Sequence, residues 1–129
     1  MVKFPATLGP DQLSVSLEAI KSRHGSPPWH ERAVACEQFM LTVICQAPGH
    51  PDNRHFHLVD ECWYVAEGEI IWHFEGDRDV HARAGAGHIV FAPSNTFHLI
   101  EPVGDEPTIR IGIVLTDEPH RVERDEDFR

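Results

Sequence analysis

From Trp29 onward, apolar and polar residues trade places in short runs that never hold a helical period for long. In a strand successive side chains point to opposite faces, so alternation over four to eight residues marks a half-buried strand. The runs rich in β-branched and aromatic residues predict strands over Ala33–Ala35, Phe39–Ala47, Arg54–Leu58, Glu61–Ala66, Glu69–Glu75, Asp79–Arg83, His88–Ala92, His98–Glu101 and Ile109–Leu115. Between them stand Pro48-Gly49-His50-Pro51-Asp52-Asn53, Glu67-Gly68, Gly76-Asp77, Gly85-Ala86-Gly87, Pro93-Ser94-Asn95 and Pro102-Val103-Gly104. Such residues supply the positive φ angles and fixed turns that tight connections need. Ahead of the strands, residues 11–23 predict one short amphipathic helix. Asp11 is placed to cap it, Leu13, Leu17 and Ile20 recur at helical spacing, and Gly25 and Pro27-Pro28 stop it.

Short strands in series with no helices between them mean an antiparallel sandwich or a closed barrel. The alternation also demands burial on one face, which a barrel or jelly roll provides. At 129 residues the chain suits one domain around one core. Its 41% apolar and 25% charged content is that of an ordinary globular protein. No apolar run reaches the ~18 residues of a spanning helix. The start, MVKFPATLGPDQ, lacks the pattern of a secretory signal, so the cytoplasm is the expected compartment. Cys36, Cys45 and Cys62, an odd number without CxxC spacing, are expected as buried or free thiols. A net charge of −10 repels phosphate backbones and anionic lipid, which argues against nucleic acid or membrane as partner. Part of that charge lies in the tail 117–129, expected to be a solvated end.

Ten histidines are an unusual load for such a chain, and position decides what they mean. His55 and His57, two apart on a strand, project to one face. Glu61 follows across the bend Leu58-Val59-Asp60, and His98 opens a later strand after the Pro93-Ser94-Asn95 turn. Three imidazoles and a carboxylate suit a divalent transition metal such as Fe(II), Mn, Ni, Co, Cu or Zn, and are too rich in nitrogen for Mg or Ca.

The glycines sharpen this reading. Gly49, five residues, His55, one residue, His57, three residues, Glu61, six residues and Gly68 reproduce the spacing of the first cupin motif. Gly87, Pro93 and His98 fall at the spacing of the second, with Asn95 in place of a glycine and Pro102 in place of an asparagine. Asn tolerates the left-handed conformation, so the turn can survive the first change. The chain thus resembles the cupin superfamily over about residues 36–116, flanked by an N-terminal arm over residues 1–30 and the acidic tail. The resemblance implies a double-stranded β-helix of jelly-roll form and one metal ion at the barrel mouth, held by His55, His57, Glu61 and His98. It also implies frequent homodimerisation.

Four protein ligands on an octahedral ion leave two adjacent positions for a bidentate substrate, or for a substrate beside O₂. Glu61 is the candidate acid–base residue. By parity Trp63, Val65, Ile70, Trp72, Phe74, Ile89, Phe91 and Ile100 are expected to face in, with Trp63, Trp72, Phe74, Phe91 and Ile100 as pocket wall. Such walls suit an aromatic or carbonyl compound. Arg110, flanked by Ile109, Ile111 and Ile113, is expected to point out, as are Tyr64, His73 and an apolar Ile71 that hints at a dimer face. His50 and His88 are expected at exposed turns. The leading expectation is an oxidoreductase of dioxygenase type. A metal-dependent isomerase, lyase or decarboxylase, and a non-catalytic ligand-binding or sensing module, are the alternatives.

Overall fold

Ser16, not Asp11, caps the helix. Its Oγ accepts the Ala19 N–H at 3.0 Å, and α1 runs over Leu17–Arg23. Leu13 is left in solvent, so the apolar stripe begins a turn later than the sequence pattern indicated. The protein is seen here in a computed structural model that describes residues 6–52 and 54–123. Asn53 and residues 124–129 of the acidic tail fall outside the described residues. No helix among the described residues is long and apolar enough to cross a membrane.

Eight strands follow: β1 (Trp29–Ala35), β2 (Phe39–Gln46), β3 (Glu61–Glu67), β4 (Glu69–Phe74), β5 (Val80–Gly85), β6 (Ile89–Ala92), β7 (His98–Val103) and β8 (Thr108–Leu115). They form a five-stranded sheet, β1-β2-β8-β3-β6, and a three-stranded sheet, β5-β4-β7. Every strand pairing within the two sheets is antiparallel. This is the jelly-roll architecture expected. Gly68 alone separates β3 from β4, and there the chain leaves one sheet for the other. That crossing takes a φ of +83°, and a Cβ at Gly68 would stand 2.8 Å from Thr108 Cγ2. Asn95 takes a φ of 61° in the turn before β7, the left-handed conformation that asparagine tolerates.

The two sheets bury a core made by Trp63, Val65, Val90 and Ala92 from one and Ile70, Trp72, Ala84 and Ile100 from the other. A second cluster lies on the opposite face of the five-stranded sheet, where Ile20 of α1 packs with Ala33, Val43, Cys45 and Ile109. Cys36, Cys45 and Cys62 are all free thiols.

Two strands reverse the expected parity, and the second cluster explains the first of them. On β8 the inward residues are Thr108, Arg110 and Gly112, and the isoleucines point to the other face. Ile109 is buried there by the helix and the first strands, so the apolar side of β8 is not the barrel interior. On β6 the inward residues are Val90 and Ala92, whereas Ile89 and Phe91 are 76% and 57% exposed. The register sets this: Val90 faces Trp63 and Ala92 faces Glu61, and the bulk of two tryptophans leaves room only for small partners. The strand expected over Arg54–Leu58 is instead a segment held by two single bridges, His55 to His98 and Phe56 to Arg121.

Candidate metal centre

The His55–His98 bridge builds half of the site. Each residue donates its backbone N–H to the other's carbonyl, at 3.0 and 2.8 Å, which brings the two imidazoles face to edge. Phe56, between the two histidines, turns the other way and packs edge-on against Phe97. His55 and His57 are therefore both buried on the interior side. The Asn95 N–H donates to the His57 carbonyl at 2.6 Å, tying the turn before β7 to the histidine segment. Glu61 starts β3 and enters from the third direction.

The result is compact. One ligand atom from each of His55, His57, Glu61 and His98 lies within 4.8 Å of the others. Nε2 of His55 and Nε2 of His98 are 3.1 Å apart, and His57 Nε2 is 3.1 Å from Glu61 Oε1. Two ligands bonded cis to an ion at about 2.1 Å stand about 3.0 Å apart, so both edges fit an ion held between them. A third edge, His98 Nε2 to Glu61 Oε1, is 3.9 Å.

Protonation favours the same reading. His57 Nδ1 lies 2.9 Å from the Pro119 carbonyl, which can only accept. Nδ1 must therefore carry the proton, leaving Nε2 as a lone pair turned to Glu61. Neither His57 Nε2 nor Glu61 Oε1 has a hydrogen-bond partner although both are buried. Burial opposes a charged His57, yet Glu61, the Pro119 carbonyl and Glu118 outweigh it and raise its pKa. A site that pulls a proton toward such a pair will take a cation instead. Burial, with His55 and His57 alongside, pushes His98 down to about 3, so its imidazole is neutral and ready to donate. The residues fit a divalent transition metal.

Above the cluster opens a cavity of about 330 Å³. Its floor is His55, His57, Glu61 and Trp63, and its walls are the inward faces of β1, β2 and β8, notably Arg32, Met40, Thr42, Ile44, Arg110 and Val114. Glu118 and His120 close one side. They belong to a segment strapped across the histidines, with the Leu58 N–H donating to Glu118 at 2.9 Å and the His120 ring 4.5 Å from that of His55.

Of the expected pocket residues, Trp63 and Ile100 line this cavity. Trp72 is fully buried in the core and Phe74 packs against that core, 6.0 Å from the His98 ring. These two support the site from behind and do not line it. Phe91 is on the outer surface and has no part in it. Tyr64, His50 and His88 are exposed as expected, while His73 is half-buried and bonded to Glu101 at 2.8 Å. Arg110 was expected outside and lies in the cavity, and Arg32, Glu118 and His120 had not been singled out. One signal was available: Thr108, Arg110 and Gly112 form a non-apolar series on a strand otherwise full of isoleucine.

Residues 42–116 match the cupin domain family. Among solved structures, the chain is similar to a cupin-2 domain-containing protein from Shewanella frigidimarina, with a TM-score of 0.64 and 16% identity over 78% of this chain and 93% of that one. It is also similar to the oxalate decarboxylase of Bacillus subtilis, a protein with Mn(II) centres, with a TM-score of 0.60 and 20% identity. That match covers 65% of this chain and 24% of the decarboxylase, so the chain spans about a quarter of that protein's length. Likeness at such identities is a likeness of fold. No protein with a curated description matches the chain.

Proposed function

The chain belongs to the cupin family, and from that premise we propose that it is a metal-dependent enzyme of dioxygenase type acting on a small aromatic or carbonyl compound. The observation that carries the reading is the meeting of three buried imidazoles and Glu61, of which His55, His57 and Glu61 line the floor of a cavity large enough for a small molecule. A redox-active divalent metal there would supply Lewis acidity and a route for electrons to O₂.

The chain's own residues set the terms. His55, His57, Glu61 and His98 would hold the ion. Neutral His98 and the Nδ1–H of His57, fixed on the Pro119 carbonyl, keep the donor atoms turned inward. Trp63, edge-on to His98 at 5.4 Å, gives a flat apolar wall against which a substrate can lie. Glu61 Oε1 has no hydrogen bond of its own, so it can take a proton from an acidic C–H or O–H of a substrate in the cavity.

The test is oxygen consumption by protein loaded anaerobically with Fe(II), offered catechols and diketones. Uptake that depends on substrate and iron is expected. Iron-loaded protein that consumes no O₂ with any of them would refute oxygenase chemistry. The second reading, a decarboxylase, lyase or isomerase using the metal as a Lewis acid, is favoured by Arg110 in the cavity and predicts turnover without O₂. For assembly we propose a homodimer. Ile71 is half-buried and sits between Arg83 and Glu101, a poor dimer face. The better surface is the outer side of β6, β3 and β8, where Ile89, Phe91, Ile113 and Leu115 are exposed together.

A further inference from the structure

Arg110 is 3% exposed, on the inward face of β8 between Ile44 of β2 and Val65 of β3. Its Nη1 donates to Gln46 Oε1 at 2.6 Å, and its Nη2 lies 3.3 Å from Asp52 Oδ2. Nε is buried with no partner. A guanidinium has five N–H donors, and a neutral amide and one long contact to a half-exposed carboxylate occupy only two. Burying a cation on such terms is costly, and packing alone does not call for it at a cavity wall.

The charges around the cavity have a sign. Arg32 and Arg110 face Asp52, Glu61 and Glu118. Glu118 is already engaged by the Leu58 N–H and by Arg121 at 3.5 Å. Counted over the described lining, a divalent ion with the Arg110 guanidinium outweighs Glu61 and Asp52 by one charge. An uncharged substrate would leave that excess unanswered in a low-dielectric pocket.

We propose that Arg110, with Arg32, anchors the carboxylate of an anionic substrate, so that the cavity takes a small organic acid bearing a second oxygen donor. The carboxylate lies against the guanidinium groups, the second oxygen reaches the ion, and Met40, Ile44 and Val114 cover the carbon skeleton between. This deepens the function proposed above and rests on it for the ion alone. It narrows the substrate from small aromatic or carbonyl compounds in general to those that carry a carboxylate.

Calorimetric titration of Zn(II)-loaded protein, which cannot turn over O₂, with malonate and with its neutral isostere malonamide tests the anchor. Elemental analysis is run on the same samples. The ion itself favours malonate, so the decisive comparison is the wild type against Arg110→Gln at equal zinc content. Malonate should bind the variant about tenfold or more weakly, as expected for loss of a charge-assisted bond, while malonamide is unaffected. Gln46→Leu, which removes a partner of Arg110 but no charge, should keep the malonate preference. Unchanged malonate affinity in zinc-loaded Arg110→Gln overturns the proposal. If that variant does not fold, Arg32→Gln carries the test, with a loss of about threefold or more expected and no loss overturning it. Protein that holds no zinc yet still prefers malonate through Arg110 would overturn the metal reading and leave the anchor standing.

Discussion

Glu61→Gln isolates what the metal contributes. The substitution keeps the size of a side chain that is only 11% exposed, and removes the charge standing 3.1 Å from His57 Nε2 and 3.9 Å from His98 Nε2. In the ion-free protein the change is small, since the amide of the variant can donate to the His57 Nε2 lone pair, and the cost should stay under about 1 kcal/mol at pH 8. With ion the two proteins separate. A ligand present at a hundred times its Kd stabilises by about 2.7 kcal/mol. For a domain of this length 1 kcal/mol moves Tm by roughly 3–5 °C, so the wild type should rise by about 10 °C. Loss of the only carboxylate among the four donors should weaken binding at least ~100-fold, given that even outer partners of ligands cost 10–100-fold. The same ion concentration then stabilises the variant by only ~0.4 kcal/mol, a shift of ~1–2 °C. Scanning calorimetry of both proteins, with chelator and with Mn(II), Co(II), Ni(II) or Zn(II), reads this directly. Equal metal-induced shifts in the two proteins, or no shift with any ion, would refute the assignment of Glu61 and its histidines.

Two further outcomes follow from packing. Gly68→Ala forces a left-handed φ on alanine, worth about 1–2 kcal/mol, and presses a methyl group onto fully buried Thr108 for ~1–3 more. Gly87→Ala, at φ +92° with nothing within 4 Å of the new Cβ, should cost only the conformational part. Equal denaturant midpoints for the two would mean that Thr108 yields. Phe91→Lys places a charge in the exposed apolar strip without touching the core, and should convert a dimer to monomer in sedimentation with unaltered far-UV dichroism. A dimer that persists would move the interface elsewhere.

Much of the fold was legible because turns announce themselves. Gly68, Gly87 and Asn95 all take the positive φ that their residue type anticipates, and the strands between them fall within a few residues of the alternating runs. The four clustered donors were legible for the same reason, since parity places His55 with His57 and turn spacing sets Glu61 and His98. What parity could not tell was which face of a strand looks inward. Alternation on β8 separates isoleucine from Thr108, Arg110 and Gly112, and the usual inference sends the isoleucines to the barrel interior. Here α1 and β1 supply a second apolar layer outside the sheet, an interaction across more than eighty residues between Ile20 and Ile109 that leaves no local mark. The strap carrying Glu118 and His120 was hidden likewise, because its place is set by contacts to residues 56–58 rather than by any period of its own.

The reversed strand also says where chemistry can and cannot occur in this barrel. At the end formed by Val65, Ile70, Trp72 and Ala84 the two sheets close on largely apolar side chains. Toward the other end β1, β2 and β8 turn Arg32, Thr42 and Arg110 inward, and the interior changes from packed hydrocarbon to a charged cavity. Trp63 and Ile100 belong to both regions, in the core and at the cavity wall. A polar face turned inward weakens the core, since each of those positions could have held a valine or isoleucine as the opposite face of β8 does. Packing against Trp63 accounts for Gly112, but stability gives no account of Arg110, whereas a bound anion beside a metal ion accounts for the arginine and the histidines together.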